Sequence, residues 1–284
     1  MPLSLGDAAW DVGLMAVLGL LIGSFLNVVI HRLPQMLEAD WKQQAKDLLS
    51  PPPDGATPMP PSGPAFNLIT PRSRCPHCSH LIAWYENIPV LSYVGLRGKC
   101  SACAARISPR YPLVELATAA AFGYCTLRFG LSPAGLAWSG FCAALITLAL
   151  IDWDTTLLPD NPTLPLLWAG LIASALHWTN VALPDALWGA VAGYVSLWLV
   201  YWAFKLVTGK EGMGYGDFKL FAALGTWFGW QALIPLILLA SIVGAVIGIA
   251  MKFSTGLRAG GYIPFGPFLA GAGFIVLLFG HNAI

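Results

Sequence analysis

The chain has 284 residues, of which 57% are hydrophobic and only 10% are charged, with a formal net charge of +1. Soluble globular domains carry about 25% charged residues, so this composition excludes an ordinary soluble enzyme and a disordered chain. The near-neutral charge also gives no support to nucleic-acid binding, which bulk basicity would favour. We therefore predict a polytopic membrane protein whose main surroundings are the lipid bilayer.

Apolar stretches recur along the chain, and a membrane-spanning helix needs about 20 mostly apolar residues. The first stretch runs from Gly13 to Ile30 and has no small-residue cleavage site after it, so we interpret it as an anchor rather than a signal peptide. The other apolar stretches lie at 112–128, 133–151, 163–178, 186–207, 217–230, 232–251 and 262–280. The sequence therefore predicts an all-α polytopic membrane protein with about eight transmembrane helices.

The basic residues predict the orientation of these helices, because cytoplasmic loops of membrane proteins are enriched in Lys and Arg. With eight spans, all of the 15 Lys and Arg residues except Arg128 fall on the same side as the long loop that begins at Arg32. We therefore expect this loop to be cytoplasmic and both termini to lie on the opposite side of the membrane.

The long loop between the first and second spans has three parts. Residues 33–50 are predicted to form a short amphipathic helix, and residues 51–64, seven of which are Pro, are predicted to form an extended linker. A compact segment of about 65–111 follows. The predicted domains are the first transmembrane helix at 1–31, the cytoplasmic loop domain at 32–111 and a seven-helix membrane domain at 112–284.

Four cysteines in the compact segment form two CxxC pairs with 21 residues between them. Four thiolates satisfy the tetrahedral coordination of zinc, and each pair can bind one metal ion from a tight turn. Disulfide bonds are the alternative, but they are rare in the reducing cytoplasm where this loop is expected. We therefore predict a zinc site in the loop domain with the ligands Cys75, Cys78, Cys100 and Cys103.

Two acidic residues follow or begin apolar helices at the predicted cytoplasmic boundary, where carboxylates are costly and often functional. Asp152 comes directly after an apolar run, and Asp217 stands in the sequence GYGD at the start of the sixth span. Two facing carboxylates can share a proton, so that one activates water while the other donates to a scissile carbonyl. Aspartic-peptidase catalysis and proton or cation transport both remain open from the spacing alone.

Helix capping is the alternative explanation for several of these acids. Asp160 stands two residues before Pro162, which favours an N-cap of the fourth span. Asp154 is predicted to be solvated. Asp217 could cap the sixth span, but the flanking Gly214 and Gly216 exceed what a cap needs and indicate close approach of another backbone.

Six sequence blocks carry a more specific signal because they occur together in a fixed order. They are GSFLNVVIHRLP at 23–34, NLITPRSRCPHC at 67–78, ENIPVLSYVGLRGKC at 86–100, ISPRYPLVE at 107–115, ALIDWDTTLLPD at 149–160 and GMGYGDFKL at 212–220. With these blocks the chain resembles the bacterial type IV prepilin leader peptidase/N-methyltransferase family, a family of GxGD-type intramembrane aspartic proteases. The likeness covers almost the whole chain, except the Pro-rich stretch and the extreme C-terminus.

The resemblance implies that Asp152 and Asp217 are the catalytic pair of an aspartic endopeptidase. Such an enzyme removes the leader of type IV prepilins and type II secretion pseudopilins after Gly, at the cytoplasmic boundary of the bacterial inner membrane. It then methylates the new N-terminal residue with S-adenosylmethionine. The resemblance places the methyltransferase and Zn²⁺ in the 32–111 domain and the peptidase in the 112–284 domain, and it assigns no residues to the methyl donor.

Two other functions compete with this hypothesis. A proton-coupled transporter would need acids at mid-bilayer and discontinuous helices in paired halves, which the sequence does not show. A zinc-bearing assembly scaffold without catalytic activity would tolerate Asp→Asn at both acidic positions.

Overall fold

The computed structural model describes residues 5–49, 66–254 and 263–280, and its regular elements are helices. The helices are α1 (Leu5–Leu49), α2 (Leu91–Gly95), α3 (Arg110–Phe129), α4 (Pro133–Thr155), α5 (Asp160–Ala175), α6 (Leu183–Thr208), α7 (Tyr215–Phe228), α8 (Leu233–Ser254) and α9 (Gly266–Phe279). Short 3-10 turns are found at Trp84–Asn87 and Trp230–Ala232. Within the described ranges, β-pairing is confined to two isolated bridges. The linker expected at 51–64 lies outside the described residues.

Each of the eight predicted spans coincides with one of these helices, which confirms the all-α fold. Among the described residues, four helices are long and apolar enough to cross a membrane, at Ala8–Leu49, Pro133–Thr155, Leu183–Thr208 and Trp230–Phe253. Helices α7 and α9 have 14 residues each. At 1.5 Å per residue, such helices reach about 21 Å, which is less than the roughly 30 Å of hydrocarbon in a bilayer. The total of eight spans therefore stays a prediction.

The first helix is longer than the sequence suggested. Residues 33–50 were expected to form a separate amphipathic helix, but α1 continues without interruption through Pro34 to Leu49. The segment that follows Pro34 is rich in Gln, Leu, Glu, Ala and Lys, which are good helix formers and favour continuation. The interpretation of 33–50 as a separate short helix was wrong.

The contacts within the chain divide it into two units. The helical unit comprises Met1–Met15 and Ala121–Ile284, and the cysteine unit comprises Ala16–Ala120. The predicted domains at 1–31, 32–111 and 112–284 have their boundaries at the ends of the apolar runs rather than at changes in the contacts, and they stay predictions.

Helix α7 forms the core of the helical unit. From Asp217 to Trp227 all of its residues except Lys219 are buried. Its neighbours approach closely through glycines: Gly189 of α6 contacts Gly225, and Gly170 of α5 contacts the side chain of Thr226. A Cβ at any of these glycines would collide with its neighbour. The position of the first turn of α7 is therefore determined by close packing along the rest of the helix.

The two longer helices of the cysteine unit also pack through small residues. A Cβ at Gly19 of α1 would lie 2.7 Å from the Cα of Ala119 on α3, and a Cβ at Gly23 would lie 2.7 Å from the Cα of Glu115. The amide of Asn27 adds a hydrogen bond across the same pair of helices, to the carbonyl of Tyr111 at 3.1 Å.

Arg32 attaches the first residues of the compact segment to α1. Its guanidinium donates to the carbonyl oxygen of Asn67 at 3.0 Å and to that of Pro71 at 2.6 Å. The residue is only 9% exposed, so its charge is satisfied by backbone oxygens rather than by solvent. The basic residue that closes the first apolar run therefore has a structural role in the cysteine unit.

Candidate functional site

Asp152 lies in the last turn of α4 and is only 4% exposed. Helix α4 ends there because Thr156 adopts a left-handed backbone conformation, with a φ of 55°. The Oδ2 atom of Asp152 accepts a hydrogen bond from the backbone N–H of Gly266 at 2.9 Å. Gly266 is the first residue of α9, and the unpaired N–H groups of a helix N-terminus favour a carboxylate.

Asp217 is the third residue of α7 and is 7% exposed. Its backbone N–H donates to the carbonyl of Gly214, the residue that precedes the helix, at 3.2 Å. Within the described part of the chain, the Oδ1 atom of Asp217 is buried without a hydrogen-bond partner. The Asp152 carboxyl is near enough to interact electrostatically with Asp217. The structure thus brings together two acids that are 65 residues apart in the sequence.

Leu158 lies against the glycines beside both acids. A Cβ on Gly216 would lie 2.6 Å from the Leu158 Cβ, and a Cβ on Gly266 would lie 3.1 Å from the Leu158 Cδ1. The expected close approach of another chain segment is therefore confirmed at Gly216. At Gly214 the nearest neighbour of a Cβ would be the Asp217 Oδ2 at 3.8 Å, which is ordinary contact, so this glycine leaves space instead.

Asp160 is not the N-cap that the sequence suggested. Pro159 occupies the N-cap position of α5, and Asp160 is the first helical residue. The Lys219 ammonium donates to both Asp160 carboxylate oxygens, at 2.6 and 2.8 Å. This pair joins the first turns of α5 and α7, which explains why a lysine is tolerated near the positive end of a helix. Asp154 is exposed, as predicted.

A second cluster holds the loop that leads into α7. Lys205 donates to the Glu211 carboxylate at 2.9 Å and to the Tyr201 hydroxyl at 3.1 Å, and this hydroxyl donates to Glu211 at 3.2 Å. The Tyr201 ring is buried and lies 5.3 Å from the ring of Tyr215 and 5.7 Å from that of Phe218, centroid to centroid. The cluster therefore connects α6, the glycine-rich loop and the first turn of α7.

The four cysteines of the cysteine unit occur in two turns with the same backbone pattern. In the first turn, the backbone N–H of Cys75 donates to the carbonyl of His80, and the Cys75 carbonyl accepts from the N–H of Ser79. In the second turn, the N–H of Cys100 donates to the carbonyl of Ala105, and the Cys100 carbonyl accepts from the N–H of Ala104. Ser79 and Ala104 both have a positive φ, of 59° and 54°. A single β-bridge closes each turn, at Arg74 with Leu81 and at Lys99 with Arg106.

The two turns bring their sulfur atoms together. All four Sγ atoms lie within 4.8 Å of one another, with 3.8 Å between Cys75 and Cys103 and 4.0 Å between Cys78 and Cys100. A zinc–sulfur bond of about 2.3 Å implies an edge of roughly 3.8 Å in a tetrahedral site. The spacing of the sulfurs therefore fits a four-coordinate ion of this kind, and the predicted ligand set forms one cluster.

Backbone donors favour the thiolate form at the first cysteine of each turn. The N–H groups of Cys78 and His77 donate to the Cys75 sulfur and lower the pKa of that thiol to about 7. The N–H groups of Cys103 and Ala102 lower the pKa of Cys100 in the same way. Thiolates are the form that binds metal ions, so the turn geometry favours this form at Cys75 and Cys100. At Cys78 the His80 N–H acts in the same direction, but desolvation and the neighbouring thiols outweigh it and raise the pKa to about 12.

A polar bridge connects the two turns beside the cluster. The Nε2 atom of His80 lies 3.2 Å from the Glu86 carboxylate and 3.4 Å from the Ser101 hydroxyl. Glu86 also accepts from the Ala83 N–H at 2.8 Å. His80 therefore acts within the described residues as a bridge rather than as a fifth member of the cysteine cluster.

A binding site for S-adenosylmethionine does not emerge from the described residues. They contain no strand followed by a glycine-rich loop, as a parallel-sheet cofactor site would require. A cavity of about 500 Å³ in the helical unit is lined by apolar side chains, including Phe141, Leu166 and Trp227. This apolar lining does not match a charged, polar methyl donor.

Three features of these sites were missed in the sequence. Gly266 follows a stretch without a chemical motif, so its hydrogen bond to Asp152 had no local signal. The partners Tyr201 and Glu211 are ten residues apart and meet because the chain turns between them. Glu115 is buried in α3, where it accepts from the Val90 N–H at 2.8 Å. Its position as an acid inside an apolar run was the signal that could have identified it.

Comparisons with known proteins identify the family of the chain. A family model of the bacterial peptidase A24 N-terminal domain matches residues 17–129, and one of the type IV leader peptidase family matches residues 139–249. The second matched range contains both Asp152 and Asp217. No solved structure matches the chain significantly.

Curated relatives extend the likeness to most of the chain. A prepilin leader peptidase/N-methyltransferase from Stutzerimonas stutzeri is 56% identical over 94% of this chain and 90% of its own length. Proteins of the same name from Pseudomonas aeruginosa and Aeromonas hydrophila are 54% and 52% identical over 94% and 95% of this chain, and over 89% and 91% of their own lengths. The chain therefore belongs to the type IV leader peptidase family.

Proposed function

We propose that this chain cleaves the leader peptide of type IV prepilins and type II secretion pseudopilins and then N-methylates the new N-terminal residue. The names of its relatives support both activities. The observation that carries the peptidase assignment is the juxtaposition of two buried carboxyls, Asp152 and Asp217, at the ends of different helices.

The chemistry follows from two carboxyls that share one proton. The ionised carboxyl takes a proton from water as the water attacks the scissile carbonyl, and the protonated one donates to the carbonyl oxygen. The Gly266 N–H already satisfies one oxygen of Asp152, whereas Asp217 has an oxygen without a partner in the described structure. Asp217 is therefore the acid whose free oxygen is available to a water or a substrate carbonyl.

The cysteine unit is proposed to hold Zn²⁺ through Cys75, Cys78, Cys100 and Cys103. When bound, the ion supplies structural stability, because four protein ligands leave no open coordination position for a substrate. We propose that the 32–111 domain carries the S-adenosylmethionine-dependent methyltransferase activity. The names of the relatives support the activity itself, and they identify no residue that binds the methyl donor.

We further propose eight transmembrane helices in the bacterial inner membrane, with the 32–111 loop in the cytoplasm. The distribution of Lys and Arg supports this orientation. The two acids then lie at the cytoplasmic boundary, where the leader of a substrate helix would end. The two shortest spanning helices, α7 and α9, would be surrounded by protein more than by lipid.

The test uses the purified full-length chain with a prepilin substrate and S-adenosylmethionine, and mass spectrometry to detect loss of the leader and gain of a methyl group. We expect Asp152→Asn and Asp217→Asn each to reduce cleavage by at least about 1,000-fold, because members of a catalytic unit are individually essential. Asp154→Asn is the matched control, since it is an exposed acid on the same helix.

The other readouts distinguish the competing functions. On a substrate whose leader has been removed beforehand, both aspartate variants should still transfer the methyl group. A scaffold would process no prepilin in any variant, and a transporter would move protons or cations across vesicle membranes without cleaving the substrate. Cleavage retained in both Asn variants would contradict the assignment of the catalytic pair.

A further inference from the structure

Part of the cysteine unit lies beside α1 at a depth where that helix is apolar. The Val90 N–H donates to the Glu115 carboxylate at 2.8 Å. Glu115 in turn contacts Gly23 of α1 and accepts a hydrogen bond from the Ser24 hydroxyl. Val90 is therefore connected through Glu115 to Gly23 and Ser24 of the first apolar run, eight or nine residues before Arg32.

The length of α1 gives the depth of this contact. Between Asp11 and Arg32, the helix rises by about 31 Å, which matches the hydrocarbon thickness of a bilayer. Ser24 precedes Arg32 by eight residues and thus lies about 12 Å further into the apolar run. A helix that crosses the membrane with this run carries Val90 below the level of the headgroups.

The side chains of this segment are apolar and uncovered. Leu91 and Val94 share one face of the short helix α2 and are 71% and 67% exposed. Val17, Leu21 and Phe25 form a similar exposed stripe on α1, at 55%, 56% and 51%. Exposure of this kind on a spanning helix is exposure to lipid, and Leu91 and Val94, next to Val90 in the chain, would meet the same surroundings.

Much of the backbone of the segment is hydrogen-bonded within the chain, which lowers the cost of entering a bilayer. The N–H groups of Ser92, Val94 and Leu96 donate to carbonyls four residues earlier, and Gly98 donates to Tyr93. The Ser92 hydroxyl donates to Ile88. The Val90 N–H, which donates to Glu115, adds a further hydrogen bond within the chain.

The flanking residues complete the pattern of an interfacial anchor. Trp84 and Tyr85 precede the segment and are 78% and 58% exposed, and such aromatic side chains favour the membrane interface. Arg97 and Lys99 follow it and are exposed, so that their charges can reach anionic headgroups while the apolar residues remain in the acyl region.

We propose that residues 84–99 form a monotopic anchor that inserts Leu91 and Val94 of the cysteine unit among the acyl chains of the cytoplasmic leaflet. The partner of this surface is the lipid itself. The loop domain is therefore not simply a cytoplasmic domain attached by its two ends, because its central segment is embedded in the membrane surface.

The test places a fluorescent amino acid at position 91 of the full-length chain in phosphatidylcholine–phosphatidylglycerol vesicles. Quenching by lipids that carry a doxyl group on the acyl chain is compared with quenching by aqueous iodide. Val17 on α1 is the position expected in lipid. Leu48 is the matched control, because it is an exposed leucine sixteen residues beyond Arg32 on the same helix.

We expect doxyl lipid to quench the label at position 91 several-fold more strongly than the label at position 48. The label at 91 should also be protected from iodide to the same extent as a label at position 17. A label at position 94 should behave in the same way, which guards against misfolding caused by one substitution. Iodide quenching at 91 and 94 equal to that at 48 would overturn the proposal. Protection from both quenchers would overturn it as well, because protein rather than lipid would then cover the surface.

Discussion

The backbone N–H of Gly266 donates to the Asp152 carboxylate from the first turn of α9, and a Cβ at this glycine would displace the same carboxylate. A Cβ at position 266 would lie 2.6 Å from Oδ2 of Asp152 and 3.1 Å from the Leu158 side chain. The hydrogen bond and the tight contact together fix the orientation of one acid of the pair. The C-terminal helix of the described chain thus takes part in the site without contributing a titratable group.

Substitution of this glycine tests that relationship. We expect Gly266→Ala to reduce the rate of cleavage by roughly 10- to 100-fold, because the added methyl group would clash with the Asp152 carboxylate. Overpacking of this kind costs about 1–3 kcal/mol. The measurement is leader removal from a prepilin by the purified variant, with thermal unfolding followed in parallel.

Gly271 provides the matched control on the same helix, since a Cβ there would meet nothing within 4 Å. Gly271→Ala should leave cleavage unchanged and slightly raise the melting temperature, because Ala favours helix over Gly. Equal activity of the two alanine variants would contradict a positioning role for the Gly266 N–H.

The pair formed by Asp160 and Lys219 allows a double-mutant cycle. Asp160→Asn and Lys219→Met should each lower stability by about 0.2–1 kcal/mol, the usual range for a partly exposed ion pair. The free energy of unfolding of the double variant should fall by less than the sum of the two single decreases, because the second substitution removes a charge that no longer has a partner. Denaturant unfolding of the four proteins measures the coupling, and strict additivity would show that the pair contributes nothing.

Much of the helical fold could be predicted because long apolar runs have few alternatives in a membrane protein. The positions of Asp152 and Asp217 at helix ends followed from the same runs and from the charge distribution. The CxxC spacing was likewise sufficient to group the four cysteines, because each turn is local and each needs only four residues.

Contacts between distant segments could not be predicted in this way. Asp160 was expected to cap α5, but its partner Lys219 lies 59 residues further along the chain. The continuation of α1 beyond Pro34 was also missed, although the residues after Pro34 are good helix formers. The contact of Glu115 with Val90 joins residues that are 25 apart in the sequence, with the second CxxC turn between them.

Removal of one cysteine should release the metal proposed for the cysteine unit. We expect Cys75→Ala to lose bound zinc and to lower the melting temperature of the full-length protein, because the free energy of metal binding contributes to folding in small metal-binding units. Zinc is measured by elemental mass spectrometry of protein purified under reducing conditions. Methylation of a pre-cleaved substrate should fall at least as much as cleavage.

Cys125→Ala is the matched control for this experiment. Cys125 is also buried, but its sulfur lies 3.9 Å from that of Cys142 between α3 and α4, and it is not one of the four clustered sulfurs. The control should retain the same amount of zinc as the unsubstituted chain. Equal zinc content in the two variants, or a disulfide between Cys75 and Cys103 in the reduced preparation, would contradict the proposed ligand set.

The cluster of Tyr201, Lys205 and Glu211 should make the loop before α7 sensitive to pH. The hydrogen bond from Lys205, together with its positive charge, lowers the pKa of Glu211 below its usual value. A carboxyl whose pKa is lower in the folded than in the unfolded protein stabilises the fold above the unfolded value of about 4.3. This stabilisation is lost as the pH falls through the lowered folded value.

We therefore expect Glu211→Gln to lower the melting temperature slightly at pH 7 and to differ less from the unsubstituted chain as the pH approaches about 3, below the unfolded value. Tyr201→Phe keeps the ring contact with Tyr215 and removes the weaker of the two hydrogen bonds that lower the pKa of Glu211, so it should reduce the rate of cleavage with a smaller pH dependence in the same direction. Glu38→Gln is the control, because Glu38 pairs with Lys42 on an exposed turn of α1, at 3.4 Å. A pH-dependent difference of the same size in Glu38→Gln would show that the effect reports general surface charge. A difference specific to Glu211 would instead show that this cluster holds in place the loop that ends at Gly214 and leads to Asp217 in α7.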